Sequence, residues 1–389
     1  MCIIEPENYQ EAFGDKAWQE AMKEELEMIE KNNTWELVER SIDKPVIGVK
    51  WVYKTKLHLD GTVQKHKAHL VAKGYAQKSR IDYNETCAPV ARLDTIRTLI
   101  ALAAQKGCKL FQLDVKSAFL NGVLKEEVYV EQPKGFKVKN IGHKVYKLRK
   151  ALYGLKQAPR AWYSEIDAHL SMCKFKRSTS EATLYTRSDL EGNLIIVSIY
   201  VDDIVYTGSS ERLLGEFKRE MMQRYEMSDL GLLRHFLGMG ILQTDQGVFI
   251  HQGNAKSLLS KFGLDDCKPV SILLATGEKL KKVNGSELAD EGLYRKIVGS
   301  LLYLTTTRPD LMYTTSLLSR FMTGPNKINM GVAKKVLRYV QGTLSYGIEY
   351  VRDQSTTFIG FCDADWAGSE DDNRSTSDYA FSFGSGAFS

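Results

Sequence analysis

The chain has 389 residues, of which 43% are hydrophobic and 26% are charged, and its formal net charge is +5. These values are typical of a globular protein with a buried core, and the length allows two or three domains. No apolar run approaches the roughly 20 residues of a membrane helix, and the N-terminus has no secretory signal. The six scattered cysteines lack zinc-ligand or redox spacing. We therefore expect an intracellular, non-secreted protein.

The charges are unevenly distributed along the chain. Residues 44–80 carry nine Lys or Arg and one acid, and residues 134–160 carry nine Lys or Arg and no acid. Residues 1–31, in contrast, carry nine acids and three bases. Two basic blocks in a nearly neutral chain indicate either a polyanion-binding surface or a solvated face that balances acids elsewhere.

The N-terminal part predicts a helix followed by a basic hairpin. Residues 15–31 have apolar side chains at helical spacing, and Asp15 can cap this helix. Two strand-like runs, Val49–Leu59 and Thr62–Ala72, follow on either side of Asp60-Gly61, a strong hairpin signal. The lysines of this hairpin include Lys54, Lys56, Lys65 and Lys67.

The middle of the chain predicts a second helix and three strands. Asp94 can cap the helix, Gly107 ends it, and Leu110–Val115 follows as a strand. Two further apolar runs flank Asp202-Asp203 and predict a hairpin with two acids at its tip. These runs are Leu194–Tyr200 and Ile204–Thr207.

The remaining segments predict a helix at about 211–225, short strands near 234–251 and a mainly helical region at 255–345. The clearest helices there are Tyr294–Thr305 and Val332–Gln341, with Pro309 and Pro325 as breaks between them. Strands return in Gly347–Val351, Thr357–Cys362 and Tyr379–Phe383. We expect this last part to begin a separate domain.

Three aspartates are candidates for metal chemistry. Asp114 lies in an apolar strand, and Asp202 and Asp203 are adjacent at the tip of an apolar hairpin. A carboxylate without a partner is costly in such a setting, and adjacent carboxylates raise each other's pKa. A divalent cation removes both penalties, and two ions can assist an in-line phosphoryl displacement. The alternative is that Asp202-Asp203 is only a hairpin turn.

The sequence resembles the reverse transcriptase region of copia-type retrotransposon Pol polyproteins. Tyr200-Val201-Asp202-Asp203 resembles the YxDD box, and the segment around Asp114 resembles polymerase motif A. Further segments resemble the family in the same order along nearly the whole chain. They are 33–38, 67–74, 152–162, 236–238, 298–304, 307–310 and 363–368.

The resemblance implies an α+β fold, a right-handed polymerase with fingers, a ferredoxin-like palm and a thumb, followed by a truncated ribonuclease H-like segment. The expected boundaries are an N-terminal helical extension at 1–40, fingers at 41–109 and a palm at 110–250. Part of the fingers, about 125–165, is inserted in the palm. Thumb or connection helices occupy 251–345, and the ribonuclease H-like start occupies 346–389.

The implied activity is RNA-directed DNA polymerisation from dNTPs onto a primer 3′-hydroxyl. Asp114, Asp202 and Asp203 would be the catalytic and metal-binding acids, holding two Mg²⁺ ions, with Mn²⁺ as an alternative. The implied partners are an RNA template, a DNA primer or RNA–DNA hybrid, and dNTPs, with no membrane. The oligomeric state stays open.

Four residues resemble nucleotide- or template-binding positions. Phe119 would pack under the nucleotide sugar and exclude a 2′-hydroxyl, with core packing as the alternative. Gln157 would touch nucleotide and template, or be a solvent-exposed amide. Val201 would contact the primer end or pack in the core, and Lys67 would bind the triphosphate. His69 departs from the family, which usually has Arg there.

Two later segments carry further implied roles. Phe236, Leu237 and Gly238 resemble the primer grip, with a plain strand-turn as the alternative. Asp363 resembles the first catalytic acid of ribonuclease H. Because no later acidic helix follows in this sequence, we expect Asp363 to be vestigial.

Three functions agree with these features. The first is an active reverse transcriptase. The second is a degenerate retrotransposon relic that binds nucleic acid without catalysis. The third is a scaffold adopted by its host for binding.

Overall fold

The computed structural model describes residues 5–57, 62–138, 141–275, 279–282, 285–352 and 357–389. Within these ranges the helices are α1 (Tyr9–Phe13), α2 (Lys16–Lys31), α3 (Leu93–Lys106), α4 (Ala158–Met172), α5 (Glu211–Arg224), α6 (Ala255–Lys261), α7 (Glu291–Leu304), α8 (Met312–Ser319) and α9 (Lys327–Gly342). None of them is long and apolar enough to cross a membrane.

The strands of the described ranges form five sheets. In chain order they are β1 (Trp35–Val38), β2 (Val46–Ile47), β3 (Val49–Leu57), β4 (Val63–Ala72), β5 (Leu110–Val115), β6 (Val123–Val130), β7 (Val145–Lys150), β8 (Lys176–Arg177), β9 (Leu184–Ser188), β10 (Leu194–Tyr200), β11 (Asp203–Gly208), β12 (Met227–Leu232), β13 (His235–Phe236), β14 (Met239–Gln243), β15 (Gly247–His251), β16 (Gly347–Val351), β17 (Ile359–Ala364) and β18 (Ser377–Ser382). The sheet orders are β1-β7-β6-β2, β12-β5-β11-β10-β9-β8, β13-β14-β15-β16, β17-β18 and β3-β4. The mixture of helices and sheets agrees with the expected α+β class.

The chain divides into two compact units. The first contains residues 1–91, 113–206 and 210–229, and the second contains 92–112, 207–209 and 230–389. Each unit is therefore built from separated stretches of sequence. The predicted boundaries of fingers, palm and thumb stay a prediction.

In the first unit, α2 packs against the hairpin formed by β3 and β4. Asp15 caps α2 as predicted, because its side chain accepts a 2.7 Å hydrogen bond from the Ala17 N–H. The buried face of α2 includes Trp18, whose ring contacts Tyr53 of β3 edge-to-face at 5.3 Å. Burial of each such large side chain contributes about 1.5–3 kcal/mol. The predicted Asp60-Gly61 turn of the hairpin lies outside the described residues.

The second unit contains a helical core and a four-stranded sheet. Helices α6 to α9 bury Tyr294, Leu301, Leu337 and their neighbours in one cluster. In the sheet, β16 pairs antiparallel with β15, from Gly347↔His251 to Val351↔Gly247. The expected boundary at residue 346 therefore falls just before a strand that belongs to the same sheet as β15.

One local prediction was wrong. The residue that caps α3 is Arg92, and Asp94 lies in the first turn of the helix. Asp94 instead accepts a 2.5 Å hydrogen bond from the Arg97 guanidinium. The predicted end of this helix is confirmed, because Gly107 follows it with a φ of 64°. This left-handed conformation is one that glycine adopts without steric cost.

Candidate active site

Asp114 and Asp202 come together through two neighbouring strands. Asp114 lies in β5, and Asp203 begins β11, which is next to β5 in the six-stranded sheet. The N–H of Val115 donates a 2.8 Å hydrogen bond to the carbonyl oxygen of Asp202. The backbone that carries the first acid is thus bonded to the backbone that carries the second, although they are far apart in sequence.

The two carboxylates influence each other electrostatically. The side chain of Asp202 is exposed, and that of Asp114 is half-buried. Burial first, and then the charge of Asp202, raise the pKa of Asp114 above its ordinary value. Three lysines oppose this shift: Lys56, Lys67 and Lys116. The site therefore holds a carboxylate whose negative charge is incompletely neutralised by the protein.

The oxygen donors of this pair fit a hard divalent cation. Mg²⁺ takes carboxylate oxygens and keeps other positions for phosphates and water. A cation there would neutralise the like charges that raise the pKa of Asp114. Within the described ranges, however, no three His, Cys, Asp or Glu side chains are grouped closely enough to hold a metal ion. The arrangement pairs Asp114 with Asp202, and the half-buried Asp203 does not complete a group of three.

The turn that carries Asp202 is held by a buried tryptophan to which sequence analysis gave no role. Trp162, on α4, is 2% exposed, and its indole N–H donates a 2.6 Å hydrogen bond to the Val201 carbonyl oxygen. Val201 has a φ of 56°, which is rare for a β-branched residue. A Cβ on Gly122 would lie 2.5 Å from the Trp162 backbone nitrogen, so glycine allows this close approach. The only signal in the sequence was a tryptophan at the end of the segment 152–162.

An ionic cluster lies beside the site. The Lys116 N–H donates to the carbonyl oxygen of Glu226 at 2.9 Å. The carboxylate of Glu226 accepts hydrogen bonds from Lys116 at 3.1 Å and from Lys31 at 2.7 Å. Hydrogen bonds from these two lysines hold the pKa of Glu226 below its ordinary value. Glu226 is thus already neutralised and fixes the end of β5, which makes it unsuited to be a further metal ligand.

The β3–β4 hairpin has one apolar face and one basic face. The strand register pairs Trp51 with Leu70 and Tyr53 with Ala68, and all four side chains are buried. Because side chains alternate along a strand, the opposite face carries the lysines. We call this the basic face of the hairpin, and it consists of Lys50, Lys54, Lys56, Lys65 and Lys67.

Lys67 connects the basic face to the carboxylates. Burial first, and then Lys56, lower the pKa of Lys67, whereas Asp114 acts in the opposite direction. The predicted triphosphate-binding lysine and the predicted catalytic acid are therefore within electrostatic reach of each other.

Comparison with known proteins identifies the family of this chain. Residues 32–276 match the family model described as reverse transcriptase (RNA-dependent DNA polymerase). The chain belongs to the reverse transcriptase family.

Relatives from plant retrotransposons are similar over almost the whole chain. The retrovirus-related Pol polyprotein from transposon RE1 of Arabidopsis thaliana is 38% identical over 377 residues, which cover 96% of this chain and 26% of the relative. The corresponding polyprotein from transposon TNT 1-94 of Nicotiana tabacum is 37% identical over 402 residues, covering 99% of this chain and 30% of the relative. This reverse transcriptase chain thus spans about a quarter to a third of the length of these copia-type relatives, and the predicted family is confirmed.

Gln157 of the reverse transcriptase is buried. It is 2% exposed, its side-chain oxygen accepts from Gln77 at 3.0 Å, and its side-chain nitrogen donates to the Asp82 carbonyl oxygen at 2.9 Å. The alternative of a solvent-exposed amide was therefore wrong. These bonds join the loop before α4 to the segment after the hairpin, and a nucleotide contact through this amide stays a prediction.

Phe119 and Val201 have intermediate exposure. Phe119 packs against the buried cluster of the first unit, and its ring lies 5.3 Å from that of Tyr153. Core packing therefore accounts for part of this ring, and contact with a nucleotide sugar stays a prediction. Val201 lies at the turn before β11 with intermediate exposure, and its contact with a primer end stays a prediction.

The three predicted primer-grip residues form a tight hairpin in the second unit. Phe236 is 2% exposed and pairs with Met239, so Leu237 and Gly238 form the two-residue turn. Their φ values are 49° and 78°, as a type I′ turn requires. The Tyr303 hydroxyl donates a 2.5 Å hydrogen bond to the Leu237 carbonyl oxygen. Whether this turn positions a primer stays a prediction.

Asp363 lies on the exposed strand β17. It is paired directly with Asp378 of β18. Like charges directly opposite each other destabilise a strand pair. Among the described residues, Asp363 belongs to no potential metal-binding group of three, and its vestigial status stays a prediction.

Proposed function

We propose that this chain is an RNA-directed DNA polymerase that transfers nucleotides from dNTPs to a primer 3′-hydroxyl. The hydrogen bond from Val115 to Asp202 carries the proposal, because it keeps two acids of separate segments side by side at one edge of the sheet. Membership of the reverse transcriptase family supports the reaction class.

In this mechanism Asp114 and Asp202, with Asp203 beside them, would hold Mg²⁺. When bound, two such ions lower the pKa of the attacking hydroxyl and neutralise the triphosphate. The protein contributes positioning and charge. Lys67 and the basic face of the hairpin attract the triphosphate and the nucleic-acid backbone, and Trp162 holds the turn that presents Asp202.

We assign the hairpin to the fingers, the six-stranded sheet to a palm and the α6–α9 region to a thumb. A groove of about 490 Å³ between α6 and α7 supports the last assignment, because it is lined by Lys261, Arg295 and Lys296. Gln252 also lines it and is 6% exposed. Neither polar atom of its side chain has a hydrogen-bond partner among the described residues. Cations and an unpaired amide suit a phosphodiester backbone, which would be bound in a salt-dependent and sequence-independent way.

Primer extension on poly(rA)/oligo(dT) with Mg²⁺ tests the proposal. The informative variant is Asp202→Asn, and the matched control is Asp245→Asn, which changes another exposed aspartate between two paired strands, β14 and β15. We expect extension by the wild type and the control, and its loss in Asp202→Asn. Extension that persists in Asp202→Asn would refute the proposal.

The alternative is a relic that binds nucleic acid without catalysis. His69 favours it, because the ring lies on the basic face side of β4, where a guanidinium would bind phosphate more strongly. If the wild type binds the template–primer but does not extend it, and His69→Arg restores extension, loss of this one cation accounts for the inactivity. If both the wild type and His69→Arg bind the template–primer without extending it, the chain is a relic.

A further inference from the structure

We propose that Glu226 is a positioning residue, whose carboxylate holds the ammonium group of Lys116 away from Asp114 and Asp202 and so keeps these acids available to a divalent cation. The inference rests on the proposed polymerase function, in which the two acids hold Mg²⁺. A lysine beside a metal site is a potential competitor of the metal ion, because its flexible ammonium group and Mg²⁺ are attracted to the same carboxylate oxygens.

Lys116 begins on the same side of the backbone as the first acid. It directly follows β5, and its N–H still donates to the neighbouring segment, at 2.9 Å from the Glu226 carbonyl oxygen. The extended pairing therefore continues to Lys116, and residues two apart in extended backbone project to the same side, as Asp114 and Lys116 do. The charge of Lys116 already acts on Asp114, since it is one of the lysines that oppose the rise of its pKa. Without a partner of its own, Lys116 would find the carboxylate of Asp114 within reach of its side chain.

Glu226 and Asp202 lie on opposite sides of β5. In the six-stranded sheet β5 is placed between β12 and β11. Glu226 directly precedes β12, and Asp202 directly precedes β11. The ammonium group of Lys116 donates a 3.1 Å hydrogen bond to Oε1 of Glu226. This bond therefore draws the lysine toward β12 and away from the segment that carries Asp202.

The carboxylate of Glu226 is fixed in the orientation that this bond needs. Its Oε2 accepts a 2.7 Å hydrogen bond from Lys31, the last residue of α2, which leaves Oε1 to Lys116. The residues on either side of Glu226 are buried, Tyr225 at 4% exposure and Met227 at 8%. Glu226 is thus anchored both through its backbone and through one of its two carboxylate oxygens.

Stability alone explains this cluster poorly. The three charged side chains are between 38% and 67% exposed, and ion pairs with that exposure contribute little to stability. The backbone hydrogen bond from Lys116 to Glu226 already joins the ends of β5 and β12. The carboxylate therefore adds little to the fold, and its main consequence is the position of the Lys116 charge.

Binding of Mn²⁺ in the absence of nucleic acid tests the inference without catalysis. Electron paramagnetic resonance measures the free ion, and loss of binding in Asp202→Asn identifies the site. We expect Glu226→Gln to raise the Kd for Mn²⁺ about 3- to 10-fold, because the released Lys116 competes for Asp114. Lys116→Gln in the wild-type background should change the Kd by less than about twofold, since the lysine is already held by Glu226. In the Glu226→Gln background the same substitution should restore the wild-type Kd.

The double-mutant cycle separates a held lysine from a general effect of charge. If the charges of Glu226 and Lys116 act only through the overall field, Lys116→Gln lowers the Kd by the same factor in both backgrounds. Glu127→Gln is the matched control, because this carboxylate also pairs with two lysines, Lys44 at 3.3 Å and Lys147 at 2.7 Å. It should leave the Kd for Mn²⁺ unchanged. Thermal unfolding in EDTA should be the same in all of these variants, which excludes unfolding as the cause of weaker binding.

The outcomes distinguish this inference from the polymerase proposal. An unchanged Kd in Glu226→Gln, or an equal effect of Lys116→Gln in both backgrounds, would overturn the positioning role and leave the polymerase proposal intact. If the cycle shows the expected coupling but the wild type never extends a primer, the polymerase is refuted and the positioning role is kept. Binding of Mn²⁺ that persists unchanged in Asp202→Asn would overturn the inference, because the ion would then lie elsewhere.

Discussion

Replacement of Trp162 by Phe should loosen the turn that carries Asp202. The substitution removes the indole donor from the Val201 carbonyl oxygen, a 2.6 Å hydrogen bond. An acceptor left without its partner costs about 1–3 kcal/mol, and the smaller ring adds about 1–2 kcal/mol of lost packing at a site that is 2% exposed. We therefore expect the free energy of unfolding to fall by about 2–5 kcal/mol.

The same bond opposes backbone strain. The left-handed conformation of Val201, with a φ of 56°, costs about 1–2 kcal/mol. This cost is comparable with the free energy that the hydrogen bond contributes. Once the hydrogen bond is lost, the turn should therefore leave its conformation part of the time. Primer extension per folded molecule should then fall about tenfold or more, because 1.4 kcal/mol corresponds to a factor of ten.

Urea unfolding and single-turnover primer extension measure these two effects. Trp35→Phe is the matched control, because Trp35 is 6% exposed and its indole also donates a 2.6 Å hydrogen bond, to Glu30. It should lose comparable stability and keep its extension rate per folded molecule. The reasoning is refuted if Trp162→Phe extends primers at the wild-type rate, or if Trp35→Phe slows extension equally.

Three further predictions concern other residues of the first unit. Because burial and a neighbouring carboxylate raise the pKa of Asp114, its ionised form destabilises the folded chain as pH rises through that pKa. Asp114→Asn should thus raise the melting temperature in EDTA at neutral pH, and this gain should vanish near pH 3, where both states are protonated. Gly154→Ala should lower the free energy of unfolding in urea by about 1–3 kcal/mol more than Gly192→Ala does. Both glycines have a positive φ, but only a Cβ on Gly154 would clash with backbone, 2.3 Å from the Ala72 carbonyl oxygen. Equal losses of stability in the two variants would contradict this prediction. Because burial and Lys56 lower the pKa of Lys67, the KM for dNTP in the wild type should begin to rise below the pH at which an ordinary lysine loses its proton. In Lys67→Gln the KM for dNTP should be high at every pH. If the KM of the wild type and that of Lys67→Gln change with pH in parallel, Lys67 does not contact the triphosphate.

Local patterns in the sequence were enough to predict most helices and strands. The hairpin of β3 and β4 was predicted because two strand-like runs lie on either side of Asp60-Gly61, a dipeptide that favours a tight turn. The strand Leu110–Val115, which follows the helix that Gly107 ends, was predicted with the bounds that the structure shows. The Asp94 cap was wrong because the pattern that marks a cap also occurs inside a first turn, where Asp94 bonds Arg97.

The contacts that complete the site depend on residues distant in sequence. Gln157 lies in a lysine-rich segment and was thought to be either a ligand contact or exposed, but Gln77 and Asp82 bury it. Likewise, the sequence gives no sign that the carbonyl of Val201 needs the indole of Trp162, or that Lys31 and Lys116 neutralise Glu226. Such pairings are set by tertiary packing, which periodicity does not encode.

Cleavage of the backbone by a bound metal tests the central claim most directly. Fe²⁺ can replace Mg²⁺ at oxygen ligands, and with ascorbate it generates hydroxyl radicals that cut the chain beside the ion. We expect cuts near both Asp114 and Asp202 in the wild type, competed by Mg²⁺, and loss of both cuts in Asp114→Asn but not in Asp245→Asn. Cuts at only one of the two segments, or at neither, would show that these acids do not share a cation.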